Sequence, residues 1–243
     1  MPKKEKIRAM FDNIASDYDK LNHIMSLDTD KGWRRRAIRR VAECAVPGRA
    51  LEVLDIACGT GDFSIAMAKT IPSVRVTSLD ISEGMLAVMR EKVEAQHLGD
   101  SISIMPGDGE RLPFEDASFD CVTIAFGIRN FESREKGLRE MLRVLRPGGR
   151  LVILELSMPE NPFVRWCFSL YFLHLMPSVG GRISGDRAAY RYLPASVVHF
   201  PKKADFLATI SSCGFTSVSA FNRNFRQYAL VSPSQWRRSH LHQ

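Results

Sequence analysis

The chain has 243 residues, of which 45% are hydrophobic and 25% charged, with a formal net charge of +7; this suits one α/β domain and is short for two generous ones. No uninterrupted apolar run reaches the roughly 18 residues of a membrane span, and the charged start MPKKEK lacks the apolar stretch of a secretory signal. The five cysteines (Cys44, Cys58, Cys121, Cys167 and Cys213) form no CxxC pair and no metal-ligand spacing, so they read as reduced thiols in a cytosolic protein with no metal site.

In chain order, Ile7, Met10, Phe11 and Ile14 fall at helical spacing and predict an amphipathic helix. Trp33, Ala37, Ile38 and Val41 predict a second helix that ends before Pro47 and Gly48. It carries a basic cluster of Arg34, Arg35, Arg36, Arg39 and Arg40, matched late in the chain by Lys202, Lys203, Arg237 and Arg238. Such charge reads either as a solvated helix face or as contact with an anionic membrane surface. No RNA-binding motif or interleaved aromatic platform accompanies it, so nucleic acid is not the expected partner.

From residue 51 short apolar runs alternate with helices. Strands are predicted at 51–57, 74–79, 101–105, 119–125 and 150–156, with two more near 216–221 and 226–231. The helix predicted over 134–145 is expected to be stopped by Pro147, Gly148 and Gly149, and another helix covers 204–213. This βαβα alternation predicts a mostly parallel sheet with helices on both faces. The aromatic-rich stretch 163–176 lacks a strand period and reads as a helix, used for core or dimer packing or as a groove or membrane-facing patch. A single domain is expected over 1–243, with a helical cover over about 1–46 and a helical insertion over about 160–195.

Motifs fall at the ends of these strands, where ligands bind in open α/β sheets. In VLDIACGTGD (53–62) a strand runs into Gly59, Thr60 and Gly61 ahead of a helix. Glycines there admit close approach of a ligand, and helix N–H groups point at it. There is no third glycine at dinucleotide spacing, and Asp55 and Asp62 would repel a pyrophosphate while tolerating an amino-acid tail beside a sulfonium cation. Asp80, ending VTSLD (76–80), is placed to accept from ribose hydroxyls, or alternatively to cap the next helix. In GDGERLPF (107–114), Asp108 can accept from the amino group of adenine and Gly109 can offer a backbone N–H.

These motifs in this order resemble class I methyltransferases. FDNIASDYDKLN (11–22) followed by Trp33, FGIRN (126–130), RVLRPGG (143–149) running on to Glu155 and Ser157, and YRYLP (190–194) are similar to signatures of the menaquinone/ubiquinone C-methyltransferase family. The resemblance implies a Rossmann-like α/β fold with a seven-stranded, mostly parallel sheet whose last strand is antiparallel. It also implies S-adenosylmethionine as methyl donor and a prenylated quinol as acceptor, demethylmenaquinol ahead of a benzoquinol. By motif, Asp55, Gly59, Thr60, Gly61, Asp80, Asp108 and Gly109 are the expected cofactor residues. Arg129 is expected to stabilise a ring phenolate and Asn130 to orient the ring. Tyr18, Asp19, Asn22, Tyr190 and Tyr192 come from segments expected to cover the acceptor, and His23, His174 and His199 are candidate bases. Two positions depart from the family pattern: Asp30 stands where a histidine is usual, and Ala125 where a serine is common. A homodimer and peripheral contact with the inner face of the membrane remain open, as do a different phenolic or lipid acceptor and a basic nucleic-acid-binding protein.

Overall fold

The computed structural model describes residues 3–16, 18–19, 29–170 and 187–215. Its sheet has five strands, β1 (Leu51–Ile56), β2 (Val74–Asp80), β3 (Ile102–Pro106), β4 (Phe119–Ala125) and β5 (Leu145–Leu154), in the order β3-β2-β1-β4-β5. Every pairing is parallel. β1 lies at the centre and is covered on both faces, which is why all of it except Glu52 is buried and its sequence is almost continuously apolar.

The helices in chain order are α1 (Lys3–Ile14), α2 (Thr29–Ala42), α3 (Asp62–Thr70), α4 (Glu83–Ala95), α5 (Arg134–Val144), α6 (Pro162–Ser169), α7 (Arg187–Val198) and α8 (Lys203–Ser212). Alternation along the strands divides the core into two. Val53, Val76 and Cys121 face a layer that includes Val41, Met67 and Met89. Leu54, Ile56, Val122 and Ile124 face Leu138, Met141 and Val144. Leu54 is fully buried, so Leu54→Ala would cost roughly 2–5 kcal/mol through lost transfer energy and the cavity left behind. Ser82 and Ser133 cap α4 and α5, their hydroxyls accepting from Met85 N and Lys136 N.

Five of the seven expected strands form the sheet among the described residues, and the two expected at 216–221 and 226–231 lie outside them. One expectation is corrected. The Pro-Gly-Gly turn does not stop α5, which ends at Val144 because Leu145 is already paired with Phe119. The next pairing is Arg150 with Cys121, so residues 146–149 bulge out opposite Asp120 alone. No helix among the described residues is long and apolar enough to cross a membrane. β2 and β3 lie on one side of β1 and β4 and β5 on the other. This reversal opens a crevice at the carboxyl ends of β1 and β4.

Candidate active site

A cleft occupies that crevice, enclosing about 720 Å³ when the space open to solvent at its mouth is included. Its floor is Ile56, Ala57 and Gly59 at and beyond the end of β1 and Ala125, Phe126 and Gly127 at and beyond the end of β4. Asp80 ending β2 with Ile81 beyond it, Gly107 to Glu110 after β3, and Asn130 and Phe131 form the walls. Both central strands end in the left-handed region, Ala57 at φ 53° and Phe126 at φ 58°. Gly127 passes so near that a Cβ placed on it would lie 2.5 Å from the Cβ of Ala57.

Gly59, Asp80, Asp108 and Gly109 are brought together around this cleft. Asp80 Oδ2 accepts from Gly59 N at 2.8 Å, and Oδ1 accepts from Ser82 N at 2.8 Å. One carboxylate thus shapes the loops after both β1 and β2, and burial pushes its pKa up. Each oxygen accepts one of these backbone bonds, and a carboxylate oxygen has two lone pairs to offer. Asp108 Oδ1 accepts from Glu110 N at 2.9 Å, and Oδ2 from Lys4 Nζ at 2.6 Å.

Three expected cofactor residues stand back from the cleft. Gly61 adopts φ 83° as the first cap of α3, where a Cβ would meet Met89 Cγ at 2.5 Å, so it sets the loop and does not line the cleft. Thr60 is buried, and its hydroxyl donates to Asp19 Oδ1. Asp55 is a correction. It shares the face of β1 with Val53, under α3, and accepts from Ser64 Oγ at 2.5 Å and Thr123 Oγ1 at 2.7 Å. Burial pushes its pKa up to about 6, against the two hydroxyl donors. Its carboxylate braces three elements, because Ser78 on β2 donates to Ser64.

The N-terminal helix was expected as a cover, and α1 lies over the cleft with Lys4, Ile7 and Phe11 on one stripe. It is fastened at the loop beyond each of β1, β2 and β3. Lys4 reaches Asp108, and its backbone N donates to Glu132 Oε1 at 2.8 Å. Asp12 Oδ1 accepts from Ser82 Oγ at 2.6 Å and Gly84 N at 3.0 Å. Asp19, beyond α1, accepts from Thr60 and from Lys92 Nζ at 2.8 Å. Lys92 and Arg34 also pair with Asp62, outweighing burial and lowering its pKa. Burial likewise opposes the Lys4 ammonium, but Asp108 and the neighbouring carboxylates hold its pKa above the usual value. Lys4 was missed in the sequence. The available signal was a cation on an otherwise apolar stripe of residues 4, 7 and 11.

Arg129 is the second correction. Its side chain is buried and ion-paired with Glu155 at 2.6 Å. The guanidinium also donates to Phe126 O and, through Nε, to Ser196 Oγ on α7 at 3.2 Å. Glu155 Oε2 accepts from the Arg129 backbone N as well. The charge expected to meet a phenolate is therefore met inside the protein, and Arg129 does not line the cleft. Asn130 does, and Tyr192 of α7 donates its hydroxyl to Asn130 Oδ1 at 2.8 Å. Tyr18 lines the cleft beside Phe11, their rings edge to face at 6.0 Å. Asn22, His23 and His174 lie outside the described residues, as does the side chain of Tyr190. His199 is exposed, with Nδ1 on Ala195 O, and does not line the cleft. Ala125 lines it with a methyl group, and Asp30 is buried against Arg34 at 3.0 Å.

Comparison with known proteins identifies this arrangement. The profile of the ubiE/COQ5 methyltransferase family matches residues 1–229. The chain is 44% identical over 224 residues to the ubiquinone/menaquinone biosynthesis C-methyltransferase UbiE of Geobacter sulfurreducens, covering 92% of this chain and 86% of that one. It is 44% identical over 216 residues to the demethylmenaquinone methyltransferase of Bacteroides fragilis, covering 89% and 86%. Among solved structures, a SAM-dependent methyltransferase from Thermotoga maritima superimposes with a TM-score of 0.54 at 17% identity, covering 86% of this chain and 81% of that one, a likeness of fold.

Proposed function

The chain belongs to the ubiE/COQ5 methyltransferase family, and from that premise we propose that it transfers a methyl group from S-adenosylmethionine to a ring carbon of a prenylated quinol, with demethylmenaquinol as the natural acceptor. The observation that carries this reading is the pair of carboxylates, Asp80 and Asp108, set at the ends of β2 and β3 in one cleft. Two acceptors so placed suit the hydroxyl and amino donors of an adenosyl group. They would repel the phosphates of a nucleotide.

The residues fit the methyl donor. Asp80 would hold the ribose, Asp108 and the Gly109 N–H the purine edge, and the Gly59 turn the amino-acid tail. Bound there, the donor supplies a methyl on a sulfonium, already a good leaving group. The protein's own work is alignment and exclusion of water. Ile7 and Phe11 roof the cleft, Ile56 and Phe126 floor it, and Asn130 presents an amide on the acceptor side. Holding the two reactants in line can lower the barrier by several kcal/mol.

The acceptor's prenyl tail gives a use to α6, which follows β5 and so comes after the carboxyl end of the sheet, the end where the cleft lies. Phe163, Trp166 and Leu170 are 71%, 62% and 52% exposed, and the two rings stack at 6.3 Å. Residues spaced three and four apart form one helical stripe. With the net charge of +7, such a stripe suits peripheral contact with the inner face of an anionic membrane. Vesicles containing anionic lipid should recruit the protein in flotation, Trp166→Ser should weaken recruitment, and salt should reverse what remains.

The deciding assay gives the protein labelled S-adenosylmethionine with reduced demethylmenaquinone and, separately, with the benzoquinol of ubiquinone synthesis. Methylation of the naphthoquinol at the higher kcat/KM supports the reading. Preference for the benzoquinol moves the acceptor, and transfer to neither removes the proposal.

A further inference from the structure

We propose that Tyr192 is a positioning residue for Asn130, turning its amide so that the two N–H groups face the cleft and donate to the ring oxygen of the acceptor. The proposal rests on the quinol reading above and adds the group that meets the developing negative charge.

An asparagine amide has nearly the same shape either way round, so its neighbours decide which end faces a ligand. Asn130 lines the cleft. Its Oδ1 lies 2.8 Å from the hydroxyl of Tyr192. Burial pushes the pKa of that phenol above its ordinary value, so the hydroxyl keeps the proton it donates. In the structure that hydroxyl donates to the amide oxygen. With Oδ1 engaged by Tyr192, Nδ2 and its two hydrogens are the end left for the cleft. A quinol carbon becomes more nucleophilic as its ring O–H ionises, and a fixed donor at that oxygen favours the charge as it develops.

What places Tyr192 is also visible. Ser196 lies one helical turn beyond it on α7 and accepts from Arg129 Nε at 3.2 Å. Arg129 is fixed by Glu155 just beyond β5. The ion pair therefore anchors α7 to the sheet, α7 presents Tyr192, and Tyr192 sets Asn130. Arg129 acts at two removes from the chemistry, and the neighbouring neutral amide meets the acceptor.

The experiment compares Tyr192→Phe, Asn130→Asp, Asn130→Ala and the double variant Tyr192→Phe/Asn130→Ala, measuring kcat, KM for the quinol and S-adenosylmethionine affinity. Asn130→Asp keeps an acceptor for Tyr192 but offers no donor, so kcat should fall about 100-fold, as for loss of one oxyanion donor. Tyr192→Phe frees the amide to turn and should lower kcat by about tenfold, with both binding constants near the parent's. In the double variant the Tyr192 change should add nothing to Asn130→Ala, because residues acting as a unit are not additive. Raising pH should recover the rate of Tyr192→Phe more than the parent's, since ionisation in solution replaces part of the lost help. Additive losses, near-parental turnover of Asn130→Asp, or a Tyr192→Phe protein that loses cofactor affinity and thermal stability along with kcat would each overturn the assignment. A parent that methylates no quinol removes the functional reading and this proposal together, whereas an active parent with additive variants removes this proposal alone.

Discussion

Two aspartates on neighbouring strands, one at each end of the sheet, are held in opposite ways. Asp120, at the start of β4, accepts from Arg49 through both terminal nitrogens at 2.6 Å, from Arg146 at 2.9 Å and from Glu52 N at 3.1 Å. Burial works against its charge, but the two guanidinium groups prevail and hold its pKa down at about 2. Asp55, near the end of β1 and level with Thr123 of β4, has hydroxyl donors for its carboxylate oxygens among the described residues, and burial raises it to about 6. The far end of the sheet is built to be kept together. The end under the cleft carries a carboxylate that would be easier to bury neutral, and functional ends of folds are where such costs collect.

Removing the favourable member tests this most severely. Asp120→Ala leaves the Glu52 N–H and two arginines without their acceptor. The loss should be about 2–3 kcal/mol, below the usual figure for a broken buried pair because the arginines can regain water. That corresponds to a fall of roughly 4–12 °C in melting temperature, with S-adenosylmethionine affinity unchanged. If calorimetry shows the same melting temperature, the clamp is not what secures that end.

The second test is one of pH. A carboxyl lowered on folding contributes stability above its unfolded pKa, and this is lost as pH falls through the folded value. For Asp120 the loss belongs between about pH 4 and 2. A carboxyl raised on folding does the reverse, so the Asp55 contribution is complete below about pH 4 and is lost as pH rises to about 6. Asp55→Asn should flatten the urea stability profile over that upper window and gain on the order of 1 kcal/mol above it. A variant that keeps the parent's slope between pH 4 and 6 would assign the effect to another group.

The cleft itself responds to smaller changes. Asp80→Asn keeps the shape but loses one charged acceptor among Gly59 N, Ser82 N and the proposed ribose. Cofactor affinity should drop about tenfold with little change in melting temperature, and unchanged calorimetric affinity would exclude Asp80 from the site. The smallest effect is expected at the roof. Lys4 and Asp108 are 28% and 35% exposed, so their pair contributes about 0–1 kcal/mol. Lys4→Met should speed release of bound S-adenosylhomocysteine by about threefold, and salt should speed it in the parent but hardly in the variant. Release indifferent to both would mean that α1 does not hold the ligand in.

How much of this was legible in the sequence follows from how local each signal is. The strands at 51–57, 74–79, 101–105 and 119–125 match β1 to β4 to within a residue or so, because covered parallel strands are short apolar runs bounded by turn residues. The end of α5 was misread because Leu145 is taken up by pairing with Phe119, a distant contact that no local pattern reports. Asp55 could have been placed better. Alternation puts it on the side of Val53, away from Ile56, which lines the cleft. Arg129 could not. Its position after β4 is plain, but its neutralisation depends on Glu155, which the sequence marks only as part of a signature.

The crowding of Ala57 against Gly127 carries a consequence for how such sequences can vary. Gly127 has φ −108°, open to any residue, so the Ala57 methyl and not the backbone forbids a side chain there. Gly127→Ala should therefore destabilise by about 1–3 kcal/mol through overpacking, and Ala57→Gly in the same chain should restore most of it, helped by relief of the left-handed backbone at residue 57. The two positions share room for a single carbon atom. Across an alignment of relatives they should covary, with alanine on one strand end answered by glycine on the other.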